Sequence, residues 1–491
     1  MTTSVTLPLW LLILIMLLAA LAALDRMLVP SARWFIRQRT NRVLEEINTR
    51  LKIEVQPFQR TKRQVLIDRL LYDAKVVESA EAVALEQGIP REVVMARVQK
   101  YAEEIVPAFN AYLYFRLGYA IARRVARLLY RVRLGYSDEE GLASIEKGAT
   151  VVFVMNHRSN MDYIVVGFLA ADRAALSYAV GEWARIWPLR TLVRSLGGYF
   201  VRRDSRDALY RRVLERYIVM ATAGGVTQAL YPEGGLSKDG TLREPKLGVL
   251  TYMLREFDPQ GPRDLIFVPV GINYDRTIED RTLLLGLTPG GCRPSTVKAL
   301  ANTVLFAARN FGQMSLGRWY RFGYACVNFG TPISMRAYLT KRGLDLREVS
   351  GEAHSPAVAE LGRELMAAVG QVIPILPVSL MATVLLEHTD APIGELDLKG
   401  SVQDLVADLE SRGYHVYIPR GDRDYAITVG LRMLTLRNLV KEEAEGLFRP
   451  VPQEIPLLCY YANAIAHLVH PTAQAGVRRS PGRQSLVGER P

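Results

Sequence analysis

Apolar positions along the chain fall into three textures. Residues 7–24 form an apolar run without a charged side chain. Residues 43–53, 62–87, 91–105 and 109–132 carry apolar positions three and four apart, which predicts helices, with Gly88-Ile89-Pro90 separating the middle two. Near Lys147 the period shortens. Residues 150–155, 177–180, 199–201, 227–231 and 265–272 read as strands, and 159–171, 188–196, 208–223 and 247–254 as the helices between them. Strands alternating with helices predict an α/β domain on a largely parallel or mixed sheet with flanking helices. Beyond about Arg347 helices dominate again, at 355–371, 402–410 and 429–445, with one short strand at 414–418. The last stretch, rich in Arg, Ser, Gly and Pro, predicts a disordered tail. The expected organisation is an anchor at 1–28, a helical region at 29–145, the α/β domain at 146–347, a mostly helical region at 348–470 and a tail at 471–491.

As a helix, the run 7–24 would reach about 27 Å, close to the hydrocarbon thickness of a bilayer. A cleavable signal peptide is the rival, and Ala19 to Ala23 resemble a cleavage site, but no basic residue precedes the run, which favours an uncleaved transmembrane anchor. Arg26, Arg33, Arg37, Arg39 and Arg42 follow it, so the positive-inside asymmetry places the rest of the protein in the cytoplasm, on the inner (plasma) membrane.

Composition adds three constraints. A chain of 491 residues with 49% apolar content is long enough for two or three domains with ample cores. Cys292, Cys326 and Cys459 lie far apart, giving neither a disulfide framework nor a zinc-ligand spacing. The net charge of +12 invites a nucleic-acid reading, yet the excess sits where apolar positions are also periodic. Residues 112–136 hold Arg116, Arg123, Arg124, Arg127, Arg131 and Arg133 with no acidic residue, while Leu117, Ile121, Val125, Leu128 and Val132 fall on one helical stripe. That pattern fits a helix lying in a headgroup layer; the alternative is a core helix with a solvated basic face. A phospholipid membrane is therefore the expected partner, and nucleic acid is not.

The chemistry is concentrated where predicted strands end, which is where α/β sheets collect ligands. The first block, Asn156-His157-Arg158-Ser159-Asn160-Met161-Asp162, places a histidine at a strand mouth and an aspartate one turn on. A carboxylate that accepts the imidazole Nδ1 proton leaves Nε2 free as a base, and no Ser or Cys nucleophile is needed when the substrate supplies its own hydroxyl. Read alone, the same block could be a capped helix start with a satisfied histidine. The second block, Gly197 to Asp204, ends a strand in Arg202 and Arg203, whose planar forks suit phosphate, or could pair with Asp204 or Asp207. The third, Leu230 to Lys238, ends a strand in Glu233, Gly234 and Gly235, where amides could cradle an anion, followed by Ser237, Lys238, Arg243 and Lys246. The fourth, Ile266 to Tyr274, is a strand interrupted by Pro269, either plain sheet or one wall of an acyl channel. The remaining histidines show no metal-ligand spacing, and no metal or organic cofactor is expected.

The order His-x4-Asp, Gly-Gly-Tyr-Phe-Val-Arg-Arg, Glu-Gly-Gly-x-Ser and Val-Pro-Val resembles the four blocks of the glycerolipid acyltransferases. His-Arg-Ser-x-Met-Asp-Tyr and Glu-Gly-Gly are similar to the glycerol-3-phosphate acyltransferase branch, and Tyr460-Tyr461-Ala462-Asn463-Ala464-Ile465-Ala466-His467 to a carboxy-terminal signature of its bacterial membrane-bound members. Leu236 and Lys238 stand where that family usually has arginines. The resemblance implies acyl transfer from acyl-carrier protein or coenzyme A to the sn-1 hydroxyl of glycerol 3-phosphate. In that reading His157 and Asp162 are catalytic, and Arg158, Arg202, Arg203, Glu233, Gly234, Gly235, Ser237, Lys238 and Lys246 bind substrate. The rivals are acylation of a lysophospholipid or 1-acylglycerol 3-phosphate and, in another class, a non-catalytic membrane scaffold.

Overall fold

The computed structural model describes residues 55–170, 175–181, 189–202, 205–287, 321–344, 356–444 and 446–470, together with Met16. Apart from Met16, the run 7–24 lies outside the described residues, as do the helix expected at 43–53, Arg203 and the tail. Among the described residues no helix is long and apolar enough to cross a membrane.

Eight strands form one mixed sheet: β1 (Arg131–Ser137), β2 (Thr150–Met155), β3 (Ser177–Val180), β4 (Tyr199–Phe200), β5 (Gln228–Leu230), β6 (Leu265–Tyr274), β7 (Tyr324–Phe329) and β8 (Ile333–Ser334). Their order is β1-β7-β6-β2-β5-β3-β4, with β8 also on β6. β2 runs parallel to both β5 and β6, β3 runs parallel to β5 and β4, and β7 and β8 are antiparallel to β6. Strands covered on both faces need apolar residues at every position rather than at every second one. β2 and β6 meet that demand, being buried throughout.

Side-chain alternation sorts the two faces. Val151, Phe153 and Met155 with Ile266, Val268, Val270, Ile272 and Tyr274 pack against Val165 and Val166 of the helix Asp162–Ala170 and against Val125 and Leu129 of the helix Tyr119–Leu129. Val152, Val154, Leu265 and Phe267 face the opposite core, built from the helices Arg63–Leu71, Ala74–Gln87, Arg91–Ile105, Ala208–Ala223, Gly248–Leu254 and Pro356–Gln371. The result is a three-layer α/β/α arrangement.

Several expectations need correction: the helix expected across 62–87 is two, Arg63–Leu71 and Ala74–Gln87, with Asp73 capping the second. The basic helix expected across 109–132 has a π-helical turn at Leu113–Gly118, becomes α-helical at Tyr119–Leu129 and stops there. Tyr130 turns extended, and Arg131–Ser137 pairs as an edge strand with β7. Val132 continues the helical apolar stripe by spacing alone, but the backbone bonds that β7 offers decide its conformation. Leu117, Ile121 and Leu128 remain exposed beside the arginines. The helix expected across 429–445 likewise ends at Leu436. Asn438 adopts φ 55°, the left-handed conformation that closes many helices, and β10 (Val440–Ala444) begins two residues later.

β9 (Ile393–Gly394), β10 and β11 (Leu447–Pro450) form a separate small sheet in the order β10-β11-β9. It packs with the helices Pro377–Leu385, Glu395–Ser411, Arg423–Leu436 and Ile455–Ala462 around a third core. The strand expected at 414–418 reduces to a single bridge between Ile375 and Val416.

Candidate active site

Parallel pairing explains why distant blocks meet. Val154 of β2 ladders to Leu230 of β5, so His157 and Glu233, each three residues further on, leave the sheet side by side. The Glu233 Oε1 accepts the His157 backbone N–H at 2.9 Å, and the Ser237 N–H donates to the His157 carbonyl at 2.9 Å. On the other flank the Asn156 amide bridges both main-chain groups of Ile272 at 2.8 Å each. The histidine is thus mounted by its own main-chain groups on the segment after β5, and the side chain of its neighbour Asn156 ties it to β6.

Its side chain meets Asp162, with Nδ1 to Oδ2 at 2.9 Å. The same oxygen accepts the Arg158 and Ser159 N–H groups at 2.8 and 3.1 Å, while Oδ1 accepts the Tyr274 hydroxyl at 2.6 Å. An ionised carboxylate can only accept, so Nδ1 carries the proton and Nε2 presents a lone pair. Nε2 has no hydrogen-bond partner among the described residues. The ring lies against Tyr231, centroids 4.3 Å apart, and edge-on to Tyr163 at 5.5 Å. His157 and Asp162 are both buried. A buried base with an oriented proton and an open lone pair can accept a proton from a hydroxyl.

Glu233 is buried, and its Oε2 has no partner among the described residues. Burial pushes its carboxyl up to about 7, against the pull of the His157 amide and the Arg158 and Arg243 charges. In the unfolded chain the same group titrates near 4.5. The folded state therefore holds this proton more tightly, and the associated stability is complete below the unfolded value and lost as pH rises through 7. Glu233→Gln keeps an acceptor for the His157 amide without the titration. Its stability relative to the parent chain should improve by about 2 kcal/mol between pH 5 and pH 8. Denaturant unfolding at the two pH values checks this, and an unchanged difference would remove the buried proton from the account.

Other expected site residues separate into two groups. Gly234 adopts φ +66°, with the stem of Lys246 lying over it; a Cβ there would sit 2.6 Å from Lys246 Cδ. The Lys246 N–H bonds to the Pro232 carbonyl at 2.8 Å, Gly235 is buried beside it and Lys238 is half-buried. The Ser237 hydroxyl is spent on the Thr241 carbonyl at 2.7 Å, while its main-chain N–H, on the His157 carbonyl, staples the third block to the first. Arg158 is buried: Nη1 donates to the Gly240 carbonyl, and Nη2 has no partner among the described residues.

Arg202 differs from expectation. Its fork is filled by Glu104, with Nε to Oε1 at 2.9 Å and Nη2 to Oε2 at 2.7 Å, over the rings of Tyr101 and Tyr210. A carboxylate from the helix Arg91–Ile105 region takes the bidentate geometry that phosphate would need, so in this structure Arg202 is a strut rather than an open anion contact.

Tyr274, read only as the end of the fourth block, and Glu279, not singled out from sequence, belong to the site because β6 runs parallel to β2 and ends at the same edge. Even-numbered residues of β6 face the His157 side, and that alternation was the available signal for Tyr274. The carboxy-terminal signature also reaches the site. Asn463 donates to the Asp239 carbonyl at 2.9 Å, and the Tyr460 main chain lies against Gly240. Gly240 has φ +87°, and an added Cβ would overlap the Tyr460 carbonyl. Gly240→Ala should therefore destabilise by at least about 1 to 3 kcal/mol, the usual cost of such backbone strain, and loosen Arg158. A thermal unfolding midpoint unchanged from the parent chain would contradict that packing.

Comparison with known proteins bears on the class of this domain. A family model described as Acyltransferase matches residues 137–273, and one described as Glycerol-3-phosphate acyltransferase C-terminal region matches residues 310–475. The strands β2 to β5, nearly all of β6 and the His–Asp turn therefore lie in the region matched as an acyltransferase domain. Curated relatives named glycerol-3-phosphate acyltransferase include those of Xanthomonas campestris pv. campestris (26% identical, covering 74% of this chain and 41% of the relative) and Pseudomonas putida (26%, 83% and 49%). The Aeromonas hydrophila protein of that name is 27% identical, over 83% of this chain and 50% of its own length. The matched regions are similar to glycerol-3-phosphate acyltransferases, and the chain spans about half the length or less of these relatives. A solved structure, the 1-acyl-sn-glycerophosphate acyltransferase PlsC from Thermotoga maritima, overlaps with a TM-score of 0.29 at 18% identity, over 59% of this chain and 97% of that one.

Proposed function

We propose that the chain transfers a fatty acyl group from a thioester of acyl-carrier protein or coenzyme A to the sn-1 hydroxyl of glycerol 3-phosphate, giving lysophosphatidic acid. The observation that carries the reading is the buried His157–Asp162 pair at 2.9 Å with Nε2 open. Nε2 takes the hydroxyl proton as the oxygen attacks the thioester carbonyl. The tetrahedral adduct then expels the thiolate, which leaves as free thiol with the proton that His157 carried. The Asp162 carboxylate stabilises the imidazolium that exists between the two transfers. No covalent acyl-enzyme is required.

Arg158 supports a phosphate site: a buried guanidinium with an unused N–H is a standing demand for an anion. Arg203, Lys238 and Lys246 join it in this reading, with Glu233, Gly234, Gly235 and Ser237 shaping the glycerol pocket. Arg202 contributes only if Glu104 gives up its fork.

The product of such a transfer is amphipathic and enters a bilayer. The apolar run 7–24 is read as the anchor, and the exposed Leu117, Ile121 and Leu128 beside Arg123, Arg124 and Arg127 as a face resting on anionic headgroups of the inner leaflet. The active domain then faces the cytoplasm, where both thioester donors are made.

The test offers glycerol 3-phosphate, 1-acylglycerol 3-phosphate and a lysophospholipid in turn, each with acyl-carrier-protein and coenzyme A thioesters. Consumption of glycerol 3-phosphate with a 1-acyl product is expected. Consumption of a lysolipid alone, or of nothing with any donor, overturns the reading.

A further inference from the structure

One partly buried carboxylate beside the site has no part in the proton transfers. Glu279 lies five residues beyond the end of β6, and no ion pair reaches it among the described residues. Its Oε2 accepts the Ser159 hydroxyl at 2.7 Å, and Oε1 accepts the Asn160 backbone N–H at 3.2 Å and side-chain amide at 3.1 Å. Burial, more than the nearby Asp162 charge, drives its carboxyl above the usual range. A carboxylate kept under such conditions costs stability unless its neighbours are arranged for it.

Those neighbours are the catalytic turn itself. The Arg158 and Ser159 amides point to Asp162 and the Asn160 amide points to Glu279, so three successive N–H groups are divided between two carboxylates. Asp162 holds the turn from inside and Glu279 from outside. The turn sets the line from Asp162 to His157, and with it the direction of Nε2.

Glu279 is in turn held by the carboxy-terminal region. The adjoining Asp280 receives Arg437 Nη2 at 2.5 Å and the Tyr461 hydroxyl. Arg437 Nη1 donates to that hydroxyl at 2.7 Å, and the Thr277 N–H reaches it at 3.3 Å. This cluster is buried.

We propose that Glu279, fixed through Asp280 by Arg437 and Tyr461, is a positioning residue that holds the His157–Asp162 turn in its reactive shape. Its effect on turnover rests on the acyl transfer proposed above; its effect on the turn does not.

Two readouts on the full-length protein test this. Amide hydrogen exchange of a peptide spanning 156–163 should quicken about tenfold or more in Glu279→Ala and return toward the parent rate in Glu279→Gln, whose amide oxygen still accepts the Asn160 N–H. In acyl transfer, Glu279→Ala should lower kcat about 100-fold, the scale of an ångström-sized misplacement, while KM for glycerol 3-phosphate stays within about threefold. Glu279→Gln should recover most of the loss, and Ser159→Ala combined with Glu279→Ala should cost far less than the product of the two single effects. Tyr461→Phe, a milder change, gives a smaller loss of the same kind. Unchanged exchange in Glu279→Ala overturns the proposal whatever the activity, as does a parent-like kcat or a loss confined to KM. If the parent protein acylates nothing while exchange responds as expected, the functional reading fails and the positioning role stands.

Discussion

Asp162→Asn is expected to lower kcat by about 10² to 10⁴, the full range assigned to general-base catalysis, without unfolding the protein. The carboxylate accepts four donors, from His157, Arg158, Ser159 and Tyr274, and an asparagine has one acceptor oxygen and an NH₂ group to set in its place. If the amide oxygen faces the turn, its NH₂ opposes the Tyr274 hydroxyl, and the imidazolium loses its counter-charge. If the amide flips, NH₂ faces His157, the Nδ1 proton moves to Nε2, and no base remains. Either orientation removes the reaction's proton acceptor or its stabilisation. Steady-state kinetics on a variant whose unfolding transition remains cooperative check this; turnover within about tenfold of the parent would show that the carboxylate is not needed.

His157→Ala should have an effect of similar size for a different reason. Both hydrogen bonds that mount residue 157, from Ser237 and to Glu233, use its main chain, so alanine preserves them. What is lost is the ring between Tyr231 and Tyr163, a cavity costing about 2 to 3 kcal/mol of stability. The proposed phosphate contacts lie on other side chains. The variant should therefore bind glycerol 3-phosphate with KM near the parent value while kcat falls by about 10² to 10⁴. A loss in KM alone would make His157 a binding residue.

Much of the catalytic layer was legible because its signals are local. The strand β2 and the helix Ala208–Ala223 lie where the apolar patterns put them. His157 and Glu233 could be read from strand ends because parallel pairing carries such ends to one edge. Long-range partners left no comparable mark. Tyr274 meets Asp162 across 112 positions, Glu279 meets Ser159 across 120, and Glu104 fills the Arg202 fork from 98 positions away. Arg131 and Val132 continued a helical spacing, yet the strand Arg131–Ser137 formed because β7, nearly two hundred residues later, supplied its pairing. The Tyr460–Tyr461 signature was visible as a motif, but its task of bracing the loops around Gly240 and Asp280 depends on tertiary contact.

In the proposed reaction the imidazole at the end of β2 accepts the acceptor alcohol's proton. The most direct test of that step supplies radiolabelled glycerol 3-phosphate and an acyl thioester to equal amounts of folded parent protein and His157→Ala, with the labelled product identified. Label is expected in 1-acylglycerol 3-phosphate from the parent protein, with at most about a hundredth of that rate from the variant. Equal rates from the two proteins would contradict it.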